Sequence, residues 1–201
     1  MNHPLARSIF LLALVGLVLQ ASTAAALRQY SHVRDGTVVG LNFGIGWAHT
    51  DFTENGTAQS TESLSALQGG FRFGWAKSEY LMYSLDVGGW THFEQDASNL
   101  IFTGTVNVTW FPGGQGFFVR GGAGGGFLQL ERVPVGFDQR VRYQEPGWAF
   151  TAGLGYEFRL GEQFALGAAF DYRYLPIGNF EQLTDTKTYN TGLTVNLNWY
   201  L

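Results

Sequence analysis

The sequence predicts an all-β fold, an eight-stranded antiparallel up-and-down transmembrane β-barrel behind a cleavable N-terminal signal peptide. Three observations carry this expectation. From Thr37 onward large apolar residues recur at every second position, which is the side-chain period of a strand. Charged residues are only 14% of the 201 residues and hydrophobic ones 45%, against roughly 25% charged in an ordinary soluble domain, so much of the surface is expected to be dry. Connections between the alternating segments are short and long in turn, as in a barrel that crosses a bilayer.

The N-terminus comes first. Arg7 provides a basic start, Ile9 to Leu19 (IFLLALVGLVL) a short apolar core, and Ala21 to Ala26 (ASTAAA) small residues for cleavage, the three parts of a signal peptide. The apolar run is about half the roughly 20 residues of a spanning helix. Cleavage is placed after Ala26, with Ala24 as the alternative, giving a signal peptide over 1–26, a short periplasmic segment over 27–36 and a barrel over 37–201. Removing residues 1–26 takes Arg7 and no acid, so the net charge moves from -4 to -5. That balance and the pI near 5.5 exclude nucleic acid, which is held by clustered cations. The absence of cysteine excludes disulfides and thiolate metal sites.

Eight segments then alternate. The first sets Val39, Leu41, Phe43, Ile45 and Trp47 against Gly40, Asn42, Gly44 and Gly46. The second sets Phe71, Phe73 and Trp75 against Gln68, Gly70, Arg72 and Gly74. The third runs through Leu81, Tyr83, Leu85 and Val87, and its parity breaks at Trp90, where a bulge or loop onset is expected. The fourth opposes Phe102, Val106, Val108 and Trp110 to Thr103, Thr105, Asn107 and Thr109. The fifth, Phe117 to Leu130, is glycine-rich, with Phe117, Val119, Ala123 and Phe127 on one face. The sixth presents Trp148, Phe150, Ala152, Leu154, Tyr156, Phe158 and Leu160. The seventh opposes Phe164, Leu166, Phe170, Tyr172 and Tyr174 to Asp171 and Arg173. The eighth opposes Tyr189, Leu193, Val195, Leu197, Trp199 and Leu201 to Asn190, Thr194, Asn196 and Asn198. Short turns are expected near Lys77–Tyr80, Pro112–Gln115 and Gly161–Gln163, and long polar loops over Thr50–Glu62, Glu94–Asn99, Arg132–Gly147 and Pro176–Thr188.

Size decides which face points outward. The interior of an eight-stranded barrel is just wide enough for side chains, so Trp, Phe, Tyr and Leu from every strand would overfill it while Gly, Ala, Thr and Asn fit. An outward aromatic face is stable against lipid. Trp47 and Trp148 then fall at one end of the strands and Trp75, Trp110 and Trp199 at the other, the two interfacial belts where amphipathic rings sit.

The segments GFFVRGGAGGGF (Gly116 to Phe127), GLGYEFRLGEQFALGAAFDYRYLPIG (Gly153 to Gly178) and LTVNLNWYL (Leu193 to Leu201) resemble the small outer-membrane β-barrel proteins of Gram-negative bacteria, the OmpX-like group and the membrane domain of OmpA-like proteins. The resemblance implies an integral location in the bacterial outer membrane, reached by export. It implies that Leu193, Val195, Leu197, Trp199 and Leu201 form the C-terminal signal read by the barrel-assembly machinery, although the family ends in an aromatic residue where Leu201 stands. Outer-membrane lipid and lipopolysaccharide are the implied surroundings.

The inward parity collects Arg72, Asp86, Asn107, Arg120, Glu157, Arg159, Asp171 and Arg173, and hairpin counting about Glu79 sets Arg72 opposite Asp86. These are expected to form a paired polar network plugging a narrow lumen. The functional expectation is a non-enzymatic barrel that serves envelope integrity or surface interaction, its external loops offering the contact surface for an extracellular ligand. A lipid A-modifying enzyme stands second. His32, His49 and His92 are its candidate bases, yet none sits in a His-x-Ser arrangement, since Thr50 and Asp51 follow His49 and Phe93 and Glu94 follow His92. A narrow solute channel stands third, because eight strands leave no aqueous pore. No cofactor is implied. The loop acids Asp51, Glu54, Glu62, Glu94, Asp96, Glu181 and Asp185 match no cation-ligand spacing, and the cluster Arg132, Arg140 and Arg142 would suit lipid phosphates. The glycine run of the fifth strand lacks the Gly-Lys-Ser/Thr of a phosphate loop.

Overall fold

The computed structural model describes residues 34–54, 56–94, 97–132, 141–180 and 183–201. The expected signal peptide over 1–26 with Ala24 and Ala26, residues 27–33 of the segment after it, His32, Asp96, Arg140 and Glu181 lie outside the described residues. Nine strands are present among them: β1 (Gly36–Glu54), β2 (Thr57–Ser60), β3 (Leu64–Ser78), β4 (Leu81–Glu94), β5 (Ala97–Trp110), β6 (Phe117–Arg132), β7 (Val141–Arg159), β8 (Phe164–Phe180) and β9 (Leu183–Tyr200). Each long strand pairs antiparallel with the next, and β9 returns to β1, so eight strands close into the predicted barrel. Closure gives each of the eight long strands a partner on both sides, the condition for a sheet in hydrocarbon. Thr37 and Leu201 exchange backbone hydrogen bonds of 3.1 and 2.8 Å at the seam. The remaining strand, β2, folds back on the end of β1, with Asp51 opposite Ser60 and Glu54 opposite Thr57.

At one rim the connections are tight. They are a two-residue turn at Glu79–Tyr80, a 3₁₀ turn over Pro112–Gly114 and a bend over 161–163, with Gly113 and Gly114 at φ 74° and 68°, where a Cβ would be strained.

At the opposite rim the structure corrects the sequence reading. The four long loops are largely ladder. β1 runs on to Glu54, β4 to Glu94, β6 to Arg132 and β8 to Phe180, each paired with the strand that follows. Polar residues there lack the two-faced pattern because no lipid faces them, and backbone pairing does not need one.

The bulge expected at Trp90 is also corrected. The ladder passes through that residue without a shift, with Trp90 opposite Gln68 on β3 and Ile101 on β5. Counted from Leu81, Trp90 lies on the inward parity, and it is 2% exposed. The indole is a lumen residue, and its Nε1 donates to the Gly46 carbonyl at 3.0 Å. Gly46 makes the room, since a Cβ there would sit 2.9 Å from Trp90 Cδ1. The irregularities in register fall instead at Asp51/Thr53, at Ala76/Ser78 and around Gly178, which has φ 87°.

The outer wall carries the large apolar face, from Leu41, Phe43 and Ile45 on β1 to Leu193 on β9. Trp75 and Trp148 are 67% and 69% exposed, at opposite ends of it. The inner face is layered, which the sequence reading lacked. An apolar cluster of Phe52, Trp90, Ile101, Leu128, Tyr143 and Leu175 fills the long-hairpin end. A second, with Val38, Met82, Phe111, Phe118 and Tyr200, fills the short-turn end. Polar side chains lie between and below them.

Candidate functional site

The polar interior is built by position along inward-facing parity, so each strand delivers a side chain every second residue at a depth set by register. Arg72 and Asp86 are directly opposed on β3 and β4. Arg72 donates from Nε at 3.0 and 3.2 Å and from Nη2 at 2.7 Å to the carboxylate, a two-pronged pair of the strong kind. Across the lumen, Arg120 on β6 pairs with Asp171 on β8, through Nε at 3.0 Å and through Nη2, and its Nη1 lies 4.0 Å from Asp86. Thr194 donates to the second Asp171 oxygen at 2.8 Å. Arg173 spends Nη1 on two amide oxygens, Asn190 at 2.8 Å and Gln68 at 3.2 Å. Asn107 joins Thr105 and accepts from Thr151 at 2.7 Å. Around this layer lies a cavity of about 30 Å³.

Glu157 and Arg159 belong to a separate layer at the short-turn end. Glu157, 1% exposed, accepts from Arg34 Nε at 3.2 Å, from Asn198 at 2.8 Å and from the Tyr200 hydroxyl at 2.9 and 3.0 Å. Arg159 lies over the Tyr200 ring at 4.1 Å, a cation–π arrangement. Six of the eight residues assigned to the lumen network therefore meet in one layer and two in another.

Arg34 was missed by sequence reading. It is fully buried, its guanidinium 3.7 Å over Phe111, and it donates to the carbonyls of Glu79 (3.2 Å), Gly114 (3.1 Å) and Gln115 (2.8 Å). It precedes the first alternating residue, and its backbone partners carry no sequence signature. Gln68, Asn190, Thr194, Asn198 and Tyr200 were also unassigned, although all five lie on the inward parity of their strands.

The histidines sit elsewhere. His49 stacks on Tyr189 with ring centroids 4.9 Å apart, and the row continues through Tyr174 (5.2 Å) to Phe150 (6.4 Å). His92 Nδ1 lies 3.2 Å from the Ser65 carbonyl, and its ring stacks on Trp90. Arg142 pairs with Glu131 on the neighbouring strand, and Lys187 with Asp185 at 2.8 Å. The side chains of Glu94 and Arg132 are not among those described. Trp47 and Trp110 are exposed like Trp75 and Trp148, and Trp199 lies against Phe164. In the terminal strand Leu193 and Leu201 are exposed, while Val195, Leu197 and Trp199 are partly covered.

Such a wall, apolar outside and hydrogen-bonded to closure within, suits hydrocarbon. A family model described as outer membrane protein beta-barrel domain matches residues 10–200. The chain belongs to that family. It is accordingly an integral outer-membrane barrel. Among solved structures, Neisserial surface protein A (NspA) is similar, with 12% identity, a TM-score of 0.54 and coverage of 83% of this chain and 97% of that one. Ail, the attachment invasion locus protein of Yersinia pestis, solved in complex with the heparin analogue sucrose octasulfate, gives 14% identity, a TM-score of 0.53 and coverage of 81% and 99%. At these identities the likeness shows the fold. No curated protein matches the sequence.

The paired lumen makes a measurable prediction. Arg72→Ala leaves Asp86 with the 4.0 Å approach of Arg120 as its ion-pair contact among the described residues, and the folded barrel in detergent is expected to lose about 2–3 kcal/mol, the cost of a buried charged acceptor without its donor. A urea titration read by the heat-dependent gel shift checks it; an unchanged midpoint would show that the pair contributes nothing.

Proposed function

We propose that this chain works without catalysis, as a sealed outer-membrane barrel that supports the envelope and meets external partners with the hairpins above its outer tryptophan belt. The observation that carries the reading is the pairing of a filled lumen with a built external projection. Two apolar clusters and the polar layers between them occupy the interior, which argues for a wall and against a conduit. Meanwhile β1 continues seven residues past Trp47 and β7 begins seven before Trp148, about 20 Å of strand at the usual rise. On that projection β2 pairs, among the described residues, with β1 alone, so Thr57–Ser60 present a second edge of backbone donors and acceptors. Such edges take partners.

In this reading residues 1–26 direct export, the terminal strand from Leu193 to Leu201 is recognised by the barrel-assembly machinery, and lipid and lipopolysaccharide surround the belts. An extracellular ligand meets the hairpins. Mass spectrometry of lipid A from matched cells with and without the chain tests the absence of catalysis. The acyl pattern is expected to be identical, while cells lacking the chain admit large apolar antibiotics more readily. An altered acyl pattern that His49→Ala or His92→Ala restores would replace this reading with a lipid-modifying enzyme.

A further inference from the structure

The charges of the middle lumen do not balance. Every strand of the barrel faces this layer. β3 brings Arg72, β4 Asp86, β6 Arg120 and β8 both Asp171 and Arg173, while β1, β5, β7 and β9 bring neutral groups such as Asn42, Thr105, Thr151 and Asn190. Three guanidiniums thus meet two carboxylates. Arg72 pairs with Asp86, and Arg120 with Asp171 and, at 4.0 Å, with Asp86, which leaves Arg173 with amide oxygens and, among the described residues, no carboxylate in ion-pair contact. Arginine does not shed its proton inside a protein, so the excess is a fixed positive charge in a buried layer. An uncompensated buried charge is among the costliest features a fold can carry.

The cavity lies where the excess is. Arg120, Arg173, Thr103, Thr105 and Thr151 are among its lining. Arg120 Nη1 is buried and has no hydrogen-bond acceptor among the described residues. The Thr105 hydroxyl accepts from Asn107, which leaves its own proton to give. A water needs roughly 10–15 Å³ of such space, so about 30 Å³ accommodates one halide or about two waters.

We propose that the middle lumen is a binding site for a small monovalent anion of the halide class, held by Arg120, Arg173 and the Thr105 hydroxyl and restoring neutrality to the layer. One negative charge cancels the excess. Asp86 and Asp171 also line the cavity, and each is charge-paired with an arginine.

Two measurements on the full folded barrel test this. Crystals grown from detergent and soaked in bromide are expected to show an anomalous peak within hydrogen-bond reach of Arg120 and Arg173; waters alone at that place would overturn the proposal. In solution, chloride is compared with gluconate at equal ionic strength, gluconate being too large to enter. At a chloride concentration about ten times its dissociation constant, the unfolding equilibrium constant is expected to fall about elevenfold, and Arg173→Gln is expected to abolish the difference. Equal stability in the two salts, or a difference that survives in Arg173→Gln, would also overturn it. Should that variant fail to fold, the bromide measurement on the unaltered chain still decides.

Discussion

Glu157→Ala is expected to cost the folded barrel about 3–5 kcal/mol, the range for removing one partner of a buried ion pair. The carboxylate is the acceptor for three side chains at once, Arg34, Asn198 and Tyr200. Its removal leaves the Arg34 guanidinium, fully buried, with neutral carbonyls and a ring as its remaining partners, and it orphans two further donors. Urea titration in lipid vesicles, read by the heat-dependent gel shift, measures the loss. A paired change, Arg34→Met with Glu157→Leu, removes both charges together and is expected to lie well above Glu157→Ala in stability, because a buried pair replaced by apolar side chains is often neutral. If the single change costs under about 1 kcal/mol, well below the range for breaking a buried pair, Glu157 is not the buttress of that rim.

Gly44→Val is expected to abolish the folded form altogether. Gly44 lies on the closing seam, opposite Thr194 of β9, and a Cβ there would stand 1.9 Å from the Leu193 carbonyl oxygen and 2.8 Å from Thr194 Cα. Both are backbone atoms, so no side chain can swing aside. Ordinary overpacking costs about 1–3 kcal/mol, but here the accommodating movement parts two strands whose hydrogen bonds close the ring. Gly104→Ala is the control. It sits on the same kind of strand with nothing within 4 Å of its Cβ position and is expected to fold as the parent does. The gel shift reads both, and a heat-shifted band for Gly44→Val would mean the seam tolerates separation.

Legibility followed the lipid. Where hydrocarbon meets the wall, as along Val39–Trp47 and Trp148–Leu160, one face must be large and apolar, and the period of two is plain in the residues. Where it does not, the period disappears. Thr184 and Lys187, or Gln144 and Glu145, read as loop because water meets both faces, although their backbones are paired, Thr184 and Lys187 with β1 on either side of a register shift and Gln144 and Glu145 with β6 in unbroken register. Trp90 misled for the opposite reason: an aromatic residue on the inward parity looks like a broken pattern unless the interior at that depth is apolar, which depends on Ile101 and Leu128 from other strands. The Arg72–Asp86 pair was accessible because a tight hairpin fixes register by counting. Arg120 and Asp171 are on strands that are not neighbours, and pairing across a lumen follows from barrel curvature, not from counting.

Arg34 ties together places far apart around the ring. Standing just before β1, it reaches the turn after β3, the turn after β5 and the last residues of β7. In mechanical terms the barrel is a thin hoop, and a hoop without a spoke flattens easily into an ellipse, because flattening needs only small bends shared among many strands. A rigid planar cation anchored at several points of the circumference is such a spoke. The short-turn mouth is therefore held round, and elastic deformation imposed by the surrounding bilayer is displaced toward the long-hairpin end.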